Sequence, residues 1–278
     1  MIIQSDWHIH SEYSYDATLS LSEISQRAKS LGLKKVGIAD HANFNDEKFI
    51  NDLKCSAENV KNFQKTHPEV MLGVELTPIE KPEFDYIAKY GTREGYAAPI
   101  ITEPYEIELA ATKEELISYG VRYAVGASHW RVDVPGARYL KADIDAMIKE
   151  WYRQQMWLAC DDRVTILGHP WCVDEGVWYD DFSVIPRSMN EDIAAVLKEN
   201  KKYVECNACM FYSPKITEKF RIQYAEFIRE LFEKGIPVTF GSDAHREYTG
   251  AHQQVEKYLC KVGFKEGDFS EIADEHLW

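Results

Sequence analysis

The chain has 278 residues, 45% of them hydrophobic and 28% charged, enough apolar material for one large core and too much for disorder. Asp and Glu outnumber Lys and Arg 46 to 32, and the formal net charge of -14 excludes a broad electrostatic footprint on nucleic acid or an anionic membrane. No apolar run approaches the roughly 20 residues of a spanning helix, and the opening MIIQSDWHIH lacks the basic and apolar regions of a secretory signal, so the chain reads as cytoplasmic.

In chain order, short apolar strand candidates fall at 2–10, 35–40, 70–76, 122–129, 164–168, 203–206 and 237–241. Helical periodicity runs between them. It is carried by Leu21, Ile24, Ala28 and Leu31, then by Ile144, Met147, Ile148 and Trp151, and then by Phe220, Tyr224, Phe227 and Leu231. Ser20 with Glu23, Thr112 with Glu115 and Ser188 with Glu191 fit the capping box, in which side chain and backbone satisfy each other at a helix start. Strand and helix alternate without repeat, low-complexity tract or linker, which predicts one domain over 1–278 with parallel strands, in an open sheet or a barrel. Two stretches, 78–106 and 170–187, break the alternation and read as long rim loops. Their Tyr86, Tyr90, Arg93, Tyr96, Trp171, Trp178 and Tyr179 are candidates to shape a pocket.

Six cysteines, Cys55, Cys160, Cys172, Cys206, Cys209 and Cys260, are scattered along the chain and read as free thiols. Cys206 and Cys209 form a C-x-x-C, but with no second such pair they read as structural rather than as a redox or zinc motif.

The strand ends are chemically unusual. They carry Asp6, His8 and His10; Asp40 and His41; Glu75; His129; His169; Glu205 and Asn207; Asp243 and His245. In a parallel barrel all of these ends meet on one face. Strict alternation along a strand would aim Asp6, His8 and His10 the same way. So many buried imidazoles and carboxylates without a cation would be desolvated and unpaired, which points to bound metal. Imidazole and carboxylate without thiolate suit zinc, manganese or iron. His67 and His276 read as surface groups, and His252 has no assigned role.

The residues resemble the PHP (polymerase and histidinol phosphatase) family. The matching pieces, in order, are DWHIHSEYSYD at 6–16, GIADH at 37–41, GVEL at 73–76, GASHW at 126–130, LGHP at 167–170, VECN at 204–207 and GSDAH at 241–245. The resemblance implies a distorted (βα)7 barrel of TIM type with three divalent ions at the strand C-termini. It implies that His8, His10, Glu75 and Asp243 hold one ion, that Glu75 bridges to a second held by His129 and His169, and that Asp16, His41 and His245 hold a third. Asp16 stands where several relatives have histidine. Asp6 and Asp40 would orient imidazoles from behind.

The implied activity is hydrolysis of a small anionic phosphomonoester, such as histidinol phosphate, a sugar phosphate or a nucleotide, by a metal-activated hydroxide, with Glu75, Asp243 and His245 as the catalytic set. Arginine is the natural fork for phosphate, and Arg131, Arg246, Arg138 and Arg187 are the candidates near ligands or rim loops. SHWRVDVPG departs from the continuation usual in histidinol phosphatases, and 78–106 has no clear counterpart there. A phosphodiesterase is a near variant. An amidohydrolase-like C–N or lactone hydrolase is disfavoured by Asp16, by His245 and by the lack of a lysine at the fourth strand end. A noncatalytic metal-binding module is disfavoured by the full ligand set.

Overall fold

The computed structural model describes residues 1–91, 106–129, 144–172, 180–248 and 252–278. Its main sheet contains β1 (Ser5–Ile9), β2 (Lys35–Ile38), β3 (Val70–Leu76), β4 (Tyr123–Gly126), β5 (Ile166–Leu167), β6 (Tyr203–Asn207) and β7 (Val238–Gly241). These correspond to the seven predicted strands, each neighbour pairs in parallel, and spatial order follows chain order. The far edge returns to the first strand. His10 N–H donates to Ala244 O at 3.0 Å and Asp243 N–H to His8 O at 2.8 Å, so the sheet is a nearly closed barrel of the distorted (βα)7 kind.

Helices cover the outside, α2 (Glu47–Gln64) and α9 (His252–Lys261) among them, because their apolar stripes repeat at helical period. In α1 (Leu21–Leu31), Leu21, Ile24 and Ala28 are buried, and Ser20 with Glu23 forms the expected capping box. Thr112 and Glu115 do the same for α4 (Lys113–Tyr119). In α5 (Ile144–Cys160), Met147, Ile148 and Trp151 are buried while Ile144, at the first turn, is exposed. In α8 (Glu218–Glu233), Phe220, Tyr224, Phe227 and Leu231 all enter the core.

Two expectations are corrected. Ser188 caps nothing: α6 (Arg187–Glu199) begins after Pro186, and Glu191 is taken by Arg187 at 3.0 Å. Proline presets the backbone for the helix start, which moves the terminus ahead of the apparent box. The described part of 78–106 is also ordered structure rather than loop. Ile79–Glu80 pairs antiparallel with Ile107–Glu108, and α3 (Lys81–Tyr90) lies between them. Pro82 sits in its first turn, where a missing N–H costs nothing.

The barrel bore is filled. Trp7, Ala39, Tyr123, Val125, Ile166 and Tyr203 cluster there with Ile272. The Tyr123 hydroxyl donates to Trp7 O at 2.7 Å. A Cβ on Gly73 would stand 2.4 Å from the Tyr123 ring, so glycine is what admits the phenol.

Candidate metal centre

Pairing of β1 with β2 is broken by a register irregularity between Asp6 and Ile9. A bulge of this kind interrupts strict alternation. Trp7 therefore enters the bore while His8 and His10 still meet the pocket above it, and the expectation that Asp6 shares their direction fails. The Asp6 carboxylate instead accepts from Ser242 N–H at 3.0 Å, Tyr248 hydroxyl at 2.9 Å and His8 backbone N–H at 3.3 Å. Glu75 lies in register with His41 of the two-residue strand His41–Ala42. His169 and Asp243 follow β5 and β7 with φ of 22° and 55°, left-handed backbone uncommon outside glycine. Strain of this sort collects at functional sites.

The side chains converge in three sets, of which two share Glu75 and the third touches it through His41 Nδ1, 2.7 Å from Glu75 Oε2. In the first, His8 Nε2 lies 3.1 Å from His10 Nε2, 3.3 Å from Glu75 Oε2 and 3.8 Å from Asp243 Oδ1. His10 Nε2 is 3.4 Å from Glu75 Oε2 and 3.2 Å from Asp243 Oδ1. In the second, Glu75 Oε1 is 3.0 Å from His169 Nε2 and 3.4 Å from His129 Nε2. In the third, Asp16 Oδ2, His41 Nε2 and His245 Nε2 form a triangle with sides of 3.4 Å. Ligands at 2.0–2.1 Å around one tetrahedral ion stand about 3.4 Å apart, so these are the separations that an ion requires. The sets abut: the donors of His41, Glu75 and His129 lie within 4.8 Å of one another, as do those of His10, His41 and His245.

Hydrogen bonds behind the rings favour Nε2 as the ligating atom. His8 Nδ1 meets Glu205 Oε1 at 2.8 Å, His245 Nδ1 meets Asp243 O at 2.9 Å, and His129 Nδ1 meets Thr77 Oγ1 at 3.0 Å. Thr77 itself donates to Asn43 Oδ1 at 2.5 Å, leaving its oxygen lone pairs for His129. With Nδ1 protonated in each, the Nε2 lone pair faces the centre. Glu75 Oε2, wholly buried, lies 2.7 Å from His41 Nδ1, 3.3 Å from His8 Nε2 and 3.4 Å from His10 Nε2, yet none of the three is aligned as a hydrogen bond. A buried carboxylate oxygen in that position is poorly accommodated without a cation.

Electrostatics without metal shows the same tension. Burial and the neighbouring His41 push His10 down to about 3, so it stays neutral. Burial also opposes charge on His41 and His169, yet Glu75, aided at His41 by Asp16, pushes each up to about 10. Burial works against the Glu75 and Asp243 anions, but His8 and its neighbours hold both well below the usual carboxylate range. Anions and imidazoliums thus stand in for a charge distribution that divalent ions would complete.

Other sequence candidates fall out differently. Asp40 accepts from Ser11 N–H at 2.6 Å, Ser11 hydroxyl at 2.7 Å and Ser56 hydroxyl at 2.6 Å, so like Asp6 it fixes backbone and hydroxyls rather than an imidazole. The role assigned to those two belongs to Glu205, whose second oxygen also accepts from His169 N–H at 2.6 Å and the Asn207 amide at 3.2 Å. Its place at a strand end was the available signal. Arg246 is exposed directly after His245. Arg187 is exposed and paired with Glu191 and Glu230. Arg131 and Arg138 lie outside the described residues, as do Arg93, Tyr96, Trp178 and Tyr179. Tyr86 and Tyr90 are exposed and pack on each other at 4.8 Å, whereas Trp171 is wholly buried with its indole N–H on Asn190 Oδ1. His67 stacks on Phe63, His276 meets the Tyr203 hydroxyl at 3.0 Å, and His252 is buried 3.8 Å from Asp6. Tyr15, half exposed with its ring 5.4 Å from that of His41, went unremarked in the sequence because nothing in its spacing distinguishes it.

A parallel barrel whose strand ends bring histidines and carboxylates together at ligand spacing defines a metal-centre α/β barrel. The chain belongs to the PHP domain family, whose model matches residues 6–209. Among solved structures, it is similar to histidinol phosphate phosphatase from Lactococcus lactis subsp. lactis, complexed with zinc, L-histidinol and phosphate. That match has a TM-score of 0.67 at 16% identity over 100% of this chain and 99% of the other. A putative histidinol phosphatase from Listeria monocytogenes aligns with a TM-score of 0.65 at 15% identity over 90% and 99%. No curated protein matches the sequence. Among the described residues, no helix is long and apolar enough to cross a membrane.

Proposed function

We propose that the protein is a metal-dependent phosphoesterase acting on a small phosphomonoester, with three divalent ions held by His8, His10, Glu75 and Asp243, by Glu75, His129 and His169, and by Asp16, His41 and His245. The observation that carries this reading is the sharing of Glu75: one buried carboxylate has Oε1 facing His129 and His169 and Oε2 facing His8, His10 and His41, at 2.7–3.4 Å. When bound, such ions supply an activated water and positive charge for the phosphate oxygens. The chain's own contribution is to fix the ligating nitrogens through Glu205, Thr77 and the Asp243 carbonyl, and to keep His10 neutral by burial. Glu75, Asp243 and His245 touch the reacting region in this reading. Arg246, and Arg131 and Arg138 outside the described residues, are the phosphate forks, while the Arg187 guanidinium is engaged by two carboxylates. Family membership and the zinc-, histidinol- and phosphate-bound neighbour support the reaction class.

The test is phosphate release by protein reconstituted with zinc, manganese or iron over a panel of phosphomonoesters including histidinol phosphate, with metal content measured on the same sample. Turnover of one ester well above the rest establishes the reading. A metal-loaded protein that releases phosphate from none of them sinks it.

A further inference from the structure

The sequence motif Cys206–Cys209 is not where two thiols meet. Cys206 is buried in the strand, and Cys209, at the start of the short helix α7 (Cys209–Tyr212), has its sulfur 3.5 Å from that of Cys172, 37 residues away in the chain. Both are half-buried, and each is tied to the centre by its own backbone. Cys172 N–H donates to His169 O at 3.0 Å, closing the turn in which His169 and Trp171 have positive φ. Cys209 N–H donates to Asn207 Oδ1 at 2.9 Å, and the Asn207 amide reaches Asp243 Oδ2 at 3.3 Å and Glu205 Oε2 at 3.2 Å.

We propose that Cys172 and Cys209 are an oxidisable dithiol which, closed by a low-molecular-weight disulfide, ties the His169 turn to the end of β6 and lowers the activity of the metal centre. The Cys172 thiolate attacks one sulfur of the small disulfide, forming a mixed disulfide and releasing one thiolate. Cys209 then loses its proton and attacks Cys172 Sγ, expelling the second thiolate. The net change is one small disulfide reduced to two thiols and two protein thiols oxidised to one disulfide. Bonding draws sulfurs from contact to about 2.05 Å. The movement falls on a turn already held in left-handed backbone, and so on His169, whose Nε2 is 3.0 Å from Glu75.

The effect on hydrolysis rests on the function proposed above; bond formation does not. Reduced, metal-loaded protein is treated with oxidised glutathione and followed by peptide mapping, metal content and phosphate release. The expected result is a Cys172–Cys209 crosslink, several-fold slower hydrolysis, and recovery with dithiothreitol. Cys172→Ser should abolish both crosslink and sensitivity, and Cys209→Ser should stop at a glutathione adduct on Cys172. Adducts confined to exposed Cys55, Cys160 and Cys260 would overturn the proposal, as would a mapped crosslink that changes neither metal content nor hydrolysis. If the reduced protein is itself inactive, the phosphoesterase reading fails, and metal retention in the two redox states still decides the switch.

Discussion

Glu205 and His8, almost 200 residues apart, are joined by a 2.8 Å contact between Oε1 and Nδ1, with both side chains buried. The other Glu205 oxygen holds the His169 backbone N–H, so one carboxylate orients a residue of the first proposed ligand set and a residue of the second. Glu205→Gln should weaken metal binding about 10–100-fold, the usual cost of losing such an outer partner. Competition against a chelator measures it, and circular dichroism checks the fold. Unaltered affinity would remove Glu205 from the machinery.

His10→Ala removes a nitrogen and Asp243→Asn a negative charge from the set around His8. Both variants should stay folded, carry less metal than wild type and lose phosphate release. Full turnover in either would break the assignment of that set.

Metal binding should expel protons. In the metal-free protein Glu75 holds His41 and His169 charged up to about 10, and an imidazolium has no lone pair for an ion. Affinity therefore rises with pH toward that value. For the metal-free fold the sign is opposite. These raised groups contribute stability that is fully present below 6.5 and fades as pH rises through about 10. Calorimetric titrations at neutral pH in buffers of different ionisation enthalpy count the protons. A heat independent of buffer would contradict the ligand roles of both residues.

Gly241 has no room for a side chain, since a Cβ would stand 1.7 Å from Glu205 Oε1 and 2.7 Å from His8 Cβ. Gly241→Ala should cost about 1–3 kcal/mol of stability by overpacking. It should also weaken metal binding by displacing Glu205. Denaturant unfolding and metal titration report the two losses separately, and an unchanged midpoint with unchanged affinity would show that the strand yields.

Arg246→Ala, and separately Arg131→Ala, should raise KM or lower kcat if either side chain grips phosphate. Unchanged kinetics in both would leave Arg138 as the next fork to examine.

Much of this was legible because barrel strands end in chemistry: the H-x-H of His8 and His10, then Glu75, His129, His169, Asp243 and His245 each follow an apolar run. Period-two and period-3.6 patterns located the strands and the faces of α1 and α8. What stayed hidden depends on pairing between distant segments. The β1 irregularity that turns Asp6 aside arises where β1 meets β2. The roles of Glu205 and the Cys172–Cys209 contact require β5 and β6 to be side by side. The helix α3 inside 78–106 stayed hidden for a local reason, since a proline such as Pro82 can open a helix as readily as end one.

Tyr123 has a consequence for traffic. With its phenol lodged against Gly73 and bonded to Trp7, and with Ile166 and Tyr203 beside it, the bore is stoppered beneath the histidines. Among the described residues, the vessel opens on the histidine side alone. Under the proposed hydrolysis, what enters to be split backs out through that same mouth in two pieces, so a lingering first product would hold the door against the next arrival.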